Sequence, residues 1–575
     1  MTYTAPVDEM IFCAEQVVGQ SRLAATDRFA EATAEMRAAI LAEAAKLCEG
    51  VLAPLNRAGD LHPARLENGV VRCTPGFADA YRQIAEGGWV GMAASPEFGG
   101  MGLPQSLAVM VNEMMASACL SLSLNPLMTQ GQIEALEHHA ADWIRALYIP
   151  RLVSGEWTGT MNLTEPQAGS DVGALATKAA PRGDGSYAIT GQKIYISWGD
   201  HDVAENICHL VLARLPGAPA GTKGISLFLV PKLIPDGAGN PGVANAVRPI
   251  GLEHKMGLHG SPTCVMAFEG ATGWLIGPEG GGMAAMFTMM NNARLGVGVE
   301  GLAVAEAASQ KAAAWALERR QGRTPDGSAT IAGHADVRRM LMRMRAQTAM
   351  ARGVAYDCAF SLDMARAAED GAERDRHAAR GAFLTPIAKA FGTDTGIEVA
   401  SLGVQVHGGM GYIEETGAAQ FSRDVRVTAI YEGTNGIQAM DLVGRKLAMD
   451  GGEAARSLLA EVATTVDSAR DGGLGEVAAA LGEAQAAAGR ATDWMLAQTD
   501  MTERHAGAAD YLRMWALMLG GHYLARGALA SGETERAALA RFAAGRMLPE
   551  AVALSAAAMA GAADLYAIPA GRLGG

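Results

Sequence analysis

The chain has 575 residues, 49% of them hydrophobic and 19% charged, with a formal net charge of −14. Its length suits about three to four domains, and its apolar content excludes a disordered chain. The acidic balance argues against a general binder of nucleic acid or anionic membrane, and seven scattered cysteines without a CxxC pair exclude a disulfide scaffold or a metal cluster.

In chain order, the N-terminus MTYTAPVDEM does not read as a signal peptide, because Asp8 and Glu9 stand where a basic region belongs. Residues 1–160 read as a helical domain, with helical spacing clear over 31–47 and 77–86. The charge-free run 114–133 has the length of a membrane span, but polar residues fill its second half. It is expected to form two packed helices joined by a turn at Asn125-Pro126.

Residues 161–279 change character. Runs rich in β-branched and aromatic residues at 187–190, 193–197, 208–214, 225–230 and 264–268 predict an all-β domain, with a long surface loop over 235–249. Helical periodicity returns over 280–450, most clearly at 301–318, 333–369 and 384–401. A further Ala-rich helical block, 451–575, carries 10 Arg, no Lys and 14 acids.

Four segments carry chemistry. Leu163–Asp171 (LTEPQAGSD) offers small hydroxyl residues and Gly169, which allow backbone N–H groups to approach an anion; a capped turn is the plainer alternative. Glu318–Arg323 (ERRQGR) ends a helix with cations, which suits a phosphate or a solvated face. Val406–Tyr412 (VHGGMGY) has three Gly in four positions, which permits close approach to a ligand or a helix end. In Ile430–Asn435 (IYEGTN), Glu432 follows an apolar stretch, where desolvation raises a carboxyl pKa toward that of a general base.

The order of these segments resembles the acyl-CoA dehydrogenase family, over about residues 35–450. The supporting text is EFGGMGLP (97–104), LTEPQAGSD (163–171), GQKIYIS (191–197), KMGLHGSPT (255–263), NNARLGVGVEGLA (291–303), QVHGGMGYIEE (405–415) and IYEGTNGIQ (430–438). The resemblance implies an α+β multidomain fold: an N-terminal helical domain, a middle β-barrel-like domain, a C-terminal four-helix bundle and the extra helical block.

It also implies FAD as cofactor and Glu432 as the base that removes the α-proton of an acyl-CoA. Met161, Leu163 and Thr164 would contact the flavin ring, with Tyr195 and Ser197 beside it. Gly169 and Ser170 would meet the cofactor phosphates, Ser170 also the pantetheine. Arg319, Gln321, Gln405, Gly408 and Gly409 would bind FAD across a subunit interface, and Thr434 its adenine end. Asn291, Arg294, Tyr431 and Gly433 would line the acyl-CoA site, with Arg294 and Arg319 holding phosphates. Tyr195 stands where many relatives have Trp, Asn291 replaces an acid, and Gly436 replaces a Gln.

The 451–575 block and HGSPTCVMAFEGATG (259–273) are similar to a long subgroup that includes 3-methylmercaptopropionyl-CoA dehydrogenases. The expected substrate is that thioester or a short to medium acyl-CoA, and the expected acceptor is electron-transfer flavoprotein. The expected assembly is a cytoplasmic homo-oligomer, a dimer by preference, with no metal, nucleic-acid or membrane partner. Two alternatives have extended tails: a membrane-associated very-long-chain acyl-CoA dehydrogenase and a DNA-binding alkylation-response flavoprotein. Each wants a basic tail surface, and this tail is net acidic.

Overall fold

The computed structural model describes residues 3–574. Its first part is helical: α1 (Val7–Phe12), α2 (Ala34–Leu47), α3 (Ala53–Leu61), α4 (Phe77–Glu86), α5 (Gln105–His139) and α6 (Asp142–Val153), with a small hairpin of β1 (Arg65–Glu67) and β2 (Val70–Arg72). The Thr33 hydroxyl opens α2 by accepting from the Met36 N–H (3.2 Å), as an N-cap should. In α4 the buried residues Phe77, Ala80, Tyr81 and Ile84 repeat at helical spacing, which is the face it presents to the core.

The expected turn at Asn125-Pro126 is not there. α5 continues through both residues and bends instead at Cys119, the one residue of the helix outside helical φ/ψ. Asn125 is only 1% exposed, and an open turn at that depth would strand backbone groups without partners. α5 is long and apolar enough to cross a membrane, but 94% of its most apolar stretch is buried inside this molecule.

The middle part is a mixed sheet of β3 (Trp157–Asn162), β4 (Lys178–Pro181), β5 (Tyr187–Ser197), β6 (Asn206–Arg214), β7 (Ile225–Pro231), β10 (Val247–Leu252) and β11 (Thr263–Ile276). Its pairings run β11–β5–β4–β6–β7 and return to β11, with β10 and β3 outside that circuit. The runs at 187–190 and 193–197 are one strand, continuous through Gly191 and Gln192. The expected loop over 235–249 is also corrected: β8 (Leu233–Pro235) and β9 (Pro241–Ala244) form a hairpin there, and β10 begins at Val247. Asp236 closes the hairpin by accepting from the N–H groups of Ala238 and Asn240 (2.9 and 3.0 Å).

Three long helices follow, α7 (Gly282–Glu318), α8 (Ala335–Ala367) and α9 (Gly371–His407), then the short α10 (Ala418–Val425) and α11 (Asn435–Asp441). α7 and α9 meet backbone to backbone. A Cβ on Gly392 would lie 2.1 Å from the Gly298 carbonyl oxygen, and one on Gly301 would lie 2.3 Å from that of Gly392.

The last part is α12 (Glu453–Asp471), α13 (Gly475–Ala497), α14 (Met501–Ala506), α15 (Ala508–Ser531), α16 (Thr534–Arg546) and α17 (Leu548–Ala558). α15 lies on α8, where Gly353 makes room for Tyr523 and Gly520 for Met350. Ion pairs, mostly half-buried, fasten it: Arg380 joins Asp357 of α8 (2.7 Å) to Glu461 of α12 (3.0 Å), and Arg513 of α15 joins Glu398 of α9 (2.8 Å) to Glu550 of α17 (2.6 Å).

Candidate active site

Glu432 lies in the short turn between the 3₁₀ segment 426–429 and α11. Its φ is +54°, one of five non-glycine residues in the left-handed region among those described. Such a conformation costs on the order of 1–3 kcal/mol and persists only where its surroundings hold it. Here the Gln438 side-chain amide donates to the carbonyl oxygens of Glu432 and Gly433 (3.3 Å each), and the Thr434 hydroxyl caps α11 by accepting from the Ile437 N–H (3.2 Å).

The base of the turn is charged and buried. Lys389 of α9 donates to Asn435 Oδ1 (2.9 Å), and the Asn435 amide donates to Asp394 (2.7 Å). Arg294 of α7, 5% exposed, is paired with Asp441 of α11 (3.2 Å). Burial pushes the Glu432 carboxyl up to about 7, against the pull of Arg294 and Lys389. Burial likewise pulls Lys389 down to about 8, although Glu432, Asp394 and Glu300 favour its charged form. A second carboxyl stands close: Glu300 of α7, 2% exposed, accepts a hydrogen bond from the Tyr431 hydroxyl, and burial pushes it up to about 8.

The guanidinium of Arg294, expected at the acyl-CoA site, is paired with Asp441 and feels the charge of Glu432. Tyr431 and Gly433 flank Glu432 directly, while Asn291 is exposed near the start of α7.

The sheet supplies a second wall. β3 ends at Asn162, one residue after Met161, and the chain leaves the sheet at Leu163 and Thr164. Lys193 of β5 is fully buried and donates to the Leu163 carbonyl (2.9 Å) and to Glu165 (2.8 Å), while Glu165 accepts from the N–H groups of Ala176 (2.7 Å) and Thr177 (3.1 Å). Burial opposes ionisation of Glu165, but Lys193 and these donors overcome it and hold its pKa well below the carboxylate range. The Ile194 N–H donates to the Thr164 carbonyl (2.9 Å), so the 163–164 turn and the 195–197 strand end are fixed to each other. On that wall Tyr195, at φ +60°, is 60% exposed, with Ser197 nearby half-buried. Gly169 and Ser170 are exposed at the rim.

The third group lies elsewhere. Stacking of Trp315 on His407 (ring centroids 5.2 Å apart) joins the C-terminal ends of α7 and α9. Arg319, Gln321, Gln405, Gly408 and Gly409 are therefore gathered at one end of the helices, all exposed. Arg319 makes no ion pair among the described residues, and a Cβ on Gly408 or Gly409 would meet nothing within 4 Å. Arg294 and Arg319 are 25 residues apart on one helix, about 37 Å at 1.5 Å per residue. One protomer does not bring this group to Glu432 and Thr434.

Sequence reasoning missed Lys193, Lys389, Glu300, Asn435 and Asp441. Lys193 and Lys389 left a trace: the chain has only nine Lys, and these two interrupt apolar stretches. Among the described residues, no cluster of His, Cys, Asp and Glu could hold a metal ion.

Comparison with known proteins completes the picture. The chain matches the models of the acyl-CoA dehydrogenase N-terminal domain over residues 34–156, the middle domain over 160–271 and the C-terminal domain over 280–447. Residues 458–569 match the acetyl-CoA dehydrogenase C-terminal like model. The chain is 44% identical over 541 residues to 3-methylmercaptopropionyl-CoA dehydrogenase of Ruegeria pomeroyi, covering 92% of each. ACDH-11 of Caenorhabditis elegans, solved in complex with C11-CoA, aligns over 95% of this chain and 92% of its own (TM-score 0.78, 21% identity). An acyl-CoA dehydrogenase of Bacillus anthracis, solved with FAD, aligns over 84% of this chain and 82% of its own (TM-score 0.66, 22% identity).

Proposed function

The chain belongs to the acyl-CoA dehydrogenase family, and we propose that within it Glu432 is the base that begins oxidation of a short acyl-CoA. The enzyme is an FAD-dependent oxidoreductase that dehydrogenates an acyl-CoA thioester. One observation carries the role of Glu432: its carboxyl, raised to about 7, is held by a strained turn at a spot where Arg294 and Lys389 still favour its charged form. A base with its pKa near the working pH is ionised often enough to act and basic enough to take a proton.

The residues present fit the cofactor. A planar ring can rest on the exposed face of Tyr195 between the Leu163–Thr164 turn and Ser197. The free Arg319 and the open backbone at Gly408 and Gly409 suit a pyrophosphate. When bound, FAD supplies the two-electron acceptor for the β-hydrogen, which leaves as hydride. Glu432 takes the α-proton, so the substrate loses one proton and one hydride and becomes the trans-2-enoyl thioester. The backbone N–H of Glu432, fixed by the φ of its turn, is the donor we assign to the thioester oxygen as negative charge builds there. Lys193 and Glu165 act at a distance, keeping the Leu163–Thr164 turn in place.

The 44% identical relative supports 3-methylmercaptopropionyl-CoA as the substrate. We assign electron-transfer flavoprotein as the acceptor. The 37 Å separation along α7 supports a dimer in which Arg319, Gln321, Gln405, Gly408 and Gly409 of one subunit serve the cofactor held beside Glu432 of the other. The seven unpaired cysteines support a reducing cytoplasmic location.

The test is anaerobic titration of the holoenzyme with a panel of thioesters. The expected result is bleaching of the flavin by 3-methylmercaptopropionyl-CoA and by short acyl-CoAs. Glu432→Gln should retain FAD while the rate of bleaching falls at least 100-fold; bleaching at the wild-type rate would remove Glu432 from the role.

A further inference from the structure

Beside Tyr431, α5 and α7 enclose a gap of about 10 Å³, room for one water at most. Asn112 and Ser123 of α5 face Gly296, Val299 and Glu300 of α7 across it. Gly296 lets Leu127 lean in: a Cβ there would sit 2.7 Å from a Leu127 methyl. The flexible end of that leucine closes the gap, and its rotation would enlarge it.

Glu300 is the unusual member of this wall. Its Oε2 accepts the Tyr431 hydroxyl, but its Oε1 is buried and has no partner. The neighbours do not supply one. Ser123 donates to the Leu120 carbonyl (3.0 Å) and Asn112 to Gln130 (2.9 Å). Leaving a buried polar atom unmade is costly, so such an atom calls for an explanation. Tyr431 directly precedes Glu432 in the chain, so this wall adjoins the base.

Resting on the dehydrogenase reading above, we propose that Glu300 is a specificity-determining residue. Its Oε1 engages an uncharged acceptor atom, a thioether sulfur or ether oxygen, near the end of a short acyl chain. The carboxyl is neutral near pH 7, since burial holds its pKa at about 8, so Oε1 can carry the proton and donate while Oε2 accepts from Tyr431. An all-carbon chain leaves that donor unpaired. A carboxylate terminus meets no free cation, because Arg294 is paired with Asp441 and Lys389 is bonded to Asn435. The charged groups that act on Glu300 are Glu432 and Lys389, with Tyr431 as its hydrogen-bond donor, and α5 faces it only with neutral side chains.

The experiment compares kcat/KM of the holoenzyme for 3-methylmercaptopropionyl-CoA and 3-methoxypropionyl-CoA with that for pentanoyl-CoA, at pH 6.5 and pH 9. In the wild type the preference for the heteroatom substrates should fall several-fold at pH 9, where Glu300 has lost its proton; the effect of Glu432 is common to all three and cancels. Glu300→Gln, which keeps a donor and the shape, should hold its preference across pH. Glu300→Leu should lose about tenfold of it at pH 6.5, the worth of one hydrogen bond. A wild-type preference that does not change with pH, or a Glu300→Leu preference within twofold of wild type, would overturn the proposal. If no thioester bleached the wild-type flavin at all, the dehydrogenase reading itself would fall, and this inference with it.

Discussion

At the scale of single residues, the site depends on one carboxylate placed where it pays for burial but not so heavily that it stays protonated. The sign of the pH effect follows. Glu432 must be ionised to accept a proton, and its pKa is raised to about 7. Thus kcat/KM for an acyl-CoA should be full above that value and fall about tenfold per pH unit below it, as one proton adds to the base. A profile that stays flat down to pH 5 would show that another group takes the proton. Glu432 was legible in the sequence because a carboxylate between an apolar stretch and a glycine already implies desolvation. Glu300 was not, because at its place in α7 it looks like an ordinary helix acid. Only folding gives it Tyr431 as a neighbour, 131 positions away.

At the scale of elements, the site is set by how closely α7 and α9 approach. Arg294 and Glu300 come from one and Lys389 from the other, and the glycine contact keeps all three within reach of Glu432. Substituting Gly392 by Ala would place a Cβ 2.1 Å from the Gly298 carbonyl oxygen, which only separation of the helices can relieve. Overpacking of this kind costs about 1–3 kcal/mol, so Tm should fall by several degrees and Glu432 should lose reactivity; thermal unfolding and flavin bleaching report the two. An unchanged Tm would show that the helices part at no cost. The helices themselves were legible from their periodicity. Their glycine contact was not, since glycines inside helices carry no sign of which partner they face. The bend of α5 followed packing in the same way: Pro126 marked a turn in sequence, but its buried surroundings kept the helix going.

At the scale of the whole molecule, the acidic tail is fastened to the helical domain by ion pairs, Arg380 with Asp357 and Glu461, and Arg513 with Glu398 and Glu550. It also reaches the active-site side. Arg504 donates to the Val443 carbonyl (3.3 Å), just after α11, and Met501 packs on Gly444. The tail thereby backs the segment that carries Glu432 and Asp441. The group around Arg319 is exposed, and Arg319 makes no ion pair among the described residues. Substituting Arg319 by Ala should weaken FAD retention at least tenfold while leaving Tm within a few degrees, because the side chain makes no ion pair in the subunit. FAD retained at wild-type affinity, or a monomer with FAD bound in a mass measurement, would sink the cross-subunit arrangement.

The sequence by itself determined the order of helical and β parts and the family, and it pointed to Glu432 as the candidate base, because these rest on local periodicity and on motifs of adjacent residues. Only the tertiary structure decided what surrounds the base. Lys389, Arg294 and Glu300 come from segments far from Glu432 in the chain, and their pKa values and hydrogen bonds exist only once burial removes the water between them. It also decided that Arg319 lies about 37 Å along α7 from Arg294, which stands beside Glu432, since a straight helix converts 25 residues of sequence into a distance no side chain can span.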